Sequence, residues 1–107
     1  MYRSKKHLDF IRKQPCIISD QYDSQACHIR VLSDAGIGLK PSDFAIPMIY
    51  HYHRMSHDLG EVRFFQRFKI NPYELALFYA KQSPCNKIKK EHLEYLKERI
   101  SIYEGLY

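Results

Sequence analysis

The chain has 107 residues, 45% hydrophobic and 27% charged, with 17 Lys and Arg against 12 Asp and Glu for a net charge of +5. That length suits one domain with a modest core rather than two. No stretch approaches the roughly 18 apolar residues that span a bilayer, the N-terminal MYRSKKHLDF has no apolar signal core, and three widely spaced cysteines (Cys16, Cys27, Cys85) argue against a disulfide framework, so a reducing, cytoplasmic setting is expected. The basic balance, with nine Tyr and six Phe, suits an anionic partner, nucleic acid first. Solubility alone is the plainer account of the same charge.

In chain order, Ser4 caps a first helix over about residues 5–13, which Pro15 stops. Leu8 and Ile11, helped by Phe10, supply its buried side, while Lys5, Lys6, Arg12 and Lys13 stay solvated. Two β-prone runs, Cys16–Ile18 and Ala26–Val31, flank the polar SDQYDSQ and predict a loose hairpin. Leu32 to Pro47, with Gly36, Gly38 and Pro41, reads as a long loop of the kind that is usually functional or disordered. A helix is expected between Pro47 and Gly60, with Met48, Tyr52, Met55 and Leu59 as a narrow apolar stripe. Residues 61–69 predict another, with Val62, Phe65 and Phe68 inward. Asn71-Pro72-Tyr73-Glu74 is a helix start with Asn as N-cap, and that helix runs to about Gln82, before Pro84. The last helix, Ile88 to about Glu104, carries Leu93, Leu96, Ile100 and Tyr103 at a spacing that packs on the core or on a second copy, a possible self-association surface. The fold class is therefore α+β, mostly helical, with one β-hairpin near the front.

The histidines carry what chemistry there is. His7 and His92 sit on charged helices and are expected at the surface. His53 and His57 are four apart on one helical face, roughly 140–180° from the apolar stripe, so they do not fill the same core. Such a pair can reach one metal ion from consecutive turns, or simply face water. His51 lies near the stripe's border and is the one of the three expected to be structural. Cys27 and His28 are neighbours on a strand and point to opposite faces. If Cys27 reaches an ion also held by His53 and His57, His28 stands beside it, where a neutral imidazole can take a proton from water. The plainer reading of Cys27 is a small buried hydrophobe.

Three segments together resemble a known family: Ala26-Cys27-His28-Ile29-Arg30, the loop GIGLKPSDF from Gly36 to Phe44, and PMIYHYHRMSHDLG from Pro47 to Gly60. They are similar to the HNH (ββα-metal, His-Me finger) endonucleases, in particular a phage and prophage branch that includes the recombination-enhancement nucleases. The start HLDFIRKQPC and the later NPYELA also match that branch, so the resemblance covers about residues 7–80. It implies a ββα-metal core over about 14–60 and a helical extension over about 61–107, within a single domain 1–107.

By position, the resemblance makes His28 the general base and Cys27 the strand ligand, a place usually held by His or Asp. His53 and His57 become the helix ligands of one divalent ion, zinc or magnesium/manganese. The motif's central Asn has no counterpart, and Asp43 is the nearest polar candidate. Arg30, Lys40 and Arg54 are candidate phosphate contacts, Arg30 first because it shares the strand end. The structural zinc knuckle of many members reads Cys16, Ser19, Ile49 and Tyr52 here, so one thiol remains and apolar packing is expected instead. A thiolate at position 27 favours zinc over magnesium, which leaves open a magnesium-dependent, a zinc-bound or an impaired site. The expected activity is hydrolysis of DNA phosphodiesters. The alternative is a catalytically impaired module of the same fold that binds DNA or protein around a structural metal.

Overall fold

The computed structural model describes residues 5–29, 44–84 and 88–106. Ser4, Arg30, Lys40, Asp43, Cys85 and most of the expected long loop lie outside them. The described chain forms α1 (Lys5–Arg12), β1 (Gln25–His28), β2 (Ala45–Met48), α2 (Tyr50–Leu59), α3 (Glu61–Arg67), α4 (Pro72–Gln82) and α5 (Lys90–Leu106). It is a compact, mostly helical α+β arrangement, 31 × 31 × 19 Å, around one two-stranded antiparallel sheet. No described helix is long and apolar enough to cross a membrane.

The hairpin differs from its expected pairing. β1 pairs with β2, Gln25 opposite Met48 and Cys27 opposite Ile46. Cys16–Ile18 is instead part of a turn: Asp20 N–H donates to the Cys16 carbonyl at 2.9 Å and Cys16 N–H to the Gln21 carbonyl at 2.8 Å. Asp20 makes that turn in the left-handed region, φ 60°, which a short polar side chain tolerates. Part of the expected loop is β2 because Ala45, Ile46, Pro47 and Met48 are all buried. Pro47 fits there because its carbonyl turns away from β1 and accepts from Ile17 N–H at 3.1 Å.

Side chains alternate across this sheet. Ala26 and Ala45 pack with Ile11 of α1 and Tyr79 of α4. Cys27, Ile46 and Met48 join the main core, whose fully buried members include Phe44, Phe64, Phe65, Tyr73 and Leu96. In α3 the buried pair is Phe64 and Phe65, with Val62 and Phe68 only half-buried. The apolar stripe of α5 lies on this core, with Leu96 and Tyr103 buried in it.

Two histidines expected at the surface are buried. His7 shares the inner face of α1 with Ile11, one turn on, and is 1% exposed; its Nδ1 meets Ser83 Oγ at 2.8 Å, at the end of α4. His92 is 9% exposed, and its Nδ1 accepts the Lys89 N–H at 2.8 Å, satisfying a donor at the start of α5, while its ring lies 5.9 Å from that of Phe44. Helix starts explain both the sequence signal at Asn71 and its further use. Asn71 Oδ1 accepts from Tyr73 N–H at 3.1 Å as the cap of α4, and Asn71 Nδ2 donates to the Ile100 carbonyl of α5 at 3.1 Å. Asn71→Ala is expected to cost about 1–2 kcal/mol in urea unfolding. Asn71→Asp keeps the cap and loses only the second bond, so its loss should be smaller; equal losses would show that the bond to Ile100 carries the effect.

Candidate active site

The centre of α2's contact is Ser56, the helix's one buried residue among those described, with Tyr52 and Met55 half-buried beside it and Leu59 exposed. The apolar stripe therefore occupies one shoulder of the helix, where the Tyr52 ring meets Phe68 edge-on at 5.9 Å. His53 and His57 occupy the other shoulder, toward β1. His51, expected to be structural, is exposed and packs only edge-on to Tyr52 at 4.8 Å among the described ring contacts.

The tie between strand and helix is a residue that motif reading passed over. His53 Nδ1–H donates to Gln25 Oε1 at 2.7 Å. Gln25 lies two before Cys27, so strand alternation puts it on the same face, and that spacing was the available signal. A bond at Nδ1 selects the tautomer with its lone pair on Nε2 and fixes the ring, as outer partners of metal-bound histidines do. The His53 and His57 rings stand 5.0 Å apart and are tilted by 36°. With Zn–N distances of about 2.0–2.1 Å and tetrahedral angles, two imidazoles on one ion have centroids about 5 Å apart, a separation that two rings in plain contact also have.

At the end of β1 the chain leaves a cleft of about 150 Å³ lined by Cys27, His28, Ser56, His57, Gly60 and Glu61. Gly60 closes α2 and opens α3 with φ 90°, a left-handed turn that glycine makes without strain. Glu61, the first residue of α3, is brought to the cleft by that turn and has no counterpart in the sequence reading. His28 is half-buried, and Cys27 is 2% exposed within the main core. Cys27, His28 and His57 thus share one cleft, and His53 is one helical turn from His57. Among the described residues, however, no group of three or more His, Cys, Asp or Glu could hold a metal ion. The fit to a cation is thus a two-imidazole spacing without an assembled third ligand.

No family model, curated protein or solved structure matches the chain.

The remaining candidates divide simply. Arg30, Lys40 and Asp43 lie outside the described residues. Arg54 is exposed on α2, where its Nη1 donates to Tyr50 Oη at 3.2 Å and its Nε lies 3.5 Å from Asp58 Oδ2; the Tyr50 hydrogen bond first, then Asp58, hold its pKa above the ordinary guanidinium value. A phosphate reaching Arg54 would compete with Asp58. Cys16 is buried, with Ile49 and Tyr52 packed on the same core. Burial pushes the Cys16 thiol up, but hydrogen bonds from the side chain and backbone of Ser19 and the N–H groups of Ile49 and Ile18 outweigh it, and the net shift is downward.

Proposed function

We propose that the chain is a metal-dependent DNA endonuclease of the HNH type that acts in the cytoplasm. The observation that carries this reading is the Gln25–His53 hydrogen bond, which ties the Cys27–His28 strand to the helix bearing His53 and His57 beside a single cleft. In this reading His28 takes the proton of a water whose oxygen forms the new bond to phosphorus. The bond from phosphorus to the 3′ oxygen breaks, and the leaving oxygen gains a proton from solvent. His53 and His57 are the helix ligands, and Cys27 the strand ligand, of one divalent ion. When bound, that ion supplies positive charge to the phosphate and the leaving oxygen. Asp43 takes the orienting role of the motif's Asn, and Arg30, Lys40 and Arg54 contact phosphates. The net charge of +5 adds salt-sensitive affinity for DNA.

A second reading has its own support: a catalytically impaired module of the same fold that binds DNA or protein around a structural metal. It is favoured by the deep burial of Cys27, which suits a closed site more than one open to substrate. Plasmid nicking across magnesium, manganese, zinc and chelator, with metal content measured alongside, separates the two. Metal-dependent nicking is expected; metal bound without nicking under any of these ions would favour the impaired module.

Cys27 variants test the ligand assignment. Thiolate is a soft ligand that favours zinc, so Cys27→His is expected to raise nicking with magnesium or manganese, and Cys27→Ala to lower bound metal. An imidazole in place of a thiol that is 2% exposed adds crowding worth about 1–3 kcal/mol, so activity is read where circular dichroism shows the variant folded. Equal metal and equal activity in all three proteins would make Cys27 a core residue only.

A further inference from the structure

On the other side of the Gln25–His53 bond lies a second concavity that the proposed reaction does not use. It measures about 380 Å³, and its walls include Tyr22, Asp23, Gln25, Tyr50 and His51. Sites for small ligands measure about 300–1,000 Å³. Tyr22 is 70% exposed and Tyr50 59% exposed. A lone exposed ring is ordinary, but two of them on one polar cleft offer flat apolar faces beside hydrogen-bonding groups. Tyr50 is oriented in advance, because Arg54 one turn on donates to its hydroxyl at 3.2 Å. Asp23, with φ 78°, turns the chain sharply between Tyr22 and β1.

The charge of the cleft narrows its ligand. The Asp23 carboxylate repels a phosphate, yet it accepts from amino groups such as those on base edges. The part of a nucleotide that suits these walls is therefore the base, with Arg54 near the rim for the backbone. We propose that this cleft binds an unpaired nucleobase, stacked on Tyr22 or Tyr50, of a strand that continues past Gln25 and His53 toward His57. The inference rests on the endonuclease reading and sharpens it: the substrate is single-stranded or locally unpaired DNA. Stacking tolerates any base, but Asp23 favours those with an exocyclic amino group, so cytosine is preferred to thymine.

The test is binding in chelator, with cleavage absent, by fluorescence anisotropy of labelled oligo-deoxycytidine, oligo-thymidine and a short duplex. Tyr22→Ala or Tyr50→Ala, whichever removes the ring under the base, should weaken binding of oligo-deoxycytidine about fivefold to a hundredfold, with little change on duplex. Tyr50→Phe, which keeps the ring but loses the bond from Arg54, should lose less binding than Tyr50→Ala, and Asp23→Asn should reduce the preference for cytosine. Unchanged single-strand binding in both alanine variants, equal losses on single strand and duplex, or no single-strand binding by wild type would each overturn the proposal. Nicking separates it from the reading beneath it. Tyrosine-dependent binding without any nicking would keep the base site and remove the nuclease, and nicking without that binding would do the reverse.

Discussion

His28→Ala is expected to lower metal-dependent plasmid nicking by about 10²–10⁴-fold, the usual contribution of a positioned general base, while bound metal and DNA affinity stay at the wild-type level. The expectation comes from position. His28 ends β1, is half-buried, and lines the same cleft as Cys27 and His57. Its removal deletes a proton acceptor without removing any of the three residues assigned to the ion. His28→Gln retains hydrogen-bonding capacity and bulk but not basicity, so it should be as inactive as the alanine variant. Activity near wild type in both variants would end the assignment of His28 as base. A parallel fall in metal content would instead make His28 a ligand.

Acid should destabilise the protein through His7. Burial lowers the pKa of this imidazole from its ordinary 6.5 to about 4. The folded state therefore refuses a proton that the unfolded chain accepts between those two values. Stability from this residue is complete above about pH 6.5, falls as pH drops through the window, and is lost by about pH 4. The span corresponds to about 3 kcal/mol, a large share of the 5–15 kcal/mol typical of a domain. Denaturant unfolding at pH 7, 5.5 and 4 reads it directly. His7→Gln, which can still hydrogen-bond Ser83 but does not titrate, should flatten the slope in this window. The same slope in wild type and His7→Gln would assign the acid response to other groups.

Much of the helical frame was legible because local signals terminate helices whatever they pack against. Pro15 and Pro84 lie just beyond α1 and α4, Gly60 divides α2 from α3, and Asn71 with Pro72 opens α4. Strand β2 was not legible, because Ala45–Met48 is buried throughout and so shows no alternation, and a proline stands inside it. His7 and His92 were misjudged because their charged neighbours describe only the outer side of a helix. What covers the inner side of α1 at His7 is Ser83, 76 residues away. In the candidate site, the i, i+4 spacing of His53 and His57 was readable from the sequence alone. Gln25 was readable only as a residue on the Cys27 face of a strand; that it meets His53 follows only once the strand and the helix are brought together.

Pro47 has a consequence for the protein in crowded solution. A two-stranded sheet leaves backbone groups along its outer rim that can recruit the strand of another molecule. At Pro47 an arriving chain would find no amide hydrogen, and the carbonyl beside it is already engaged by Ile17 at 3.1 Å. The middle of β2 therefore offers neither half of the hydrogen-bond pair that intermolecular strand addition needs. The residue that hid β2 from pattern reading is the same one that guards it against edge-to-edge aggregation.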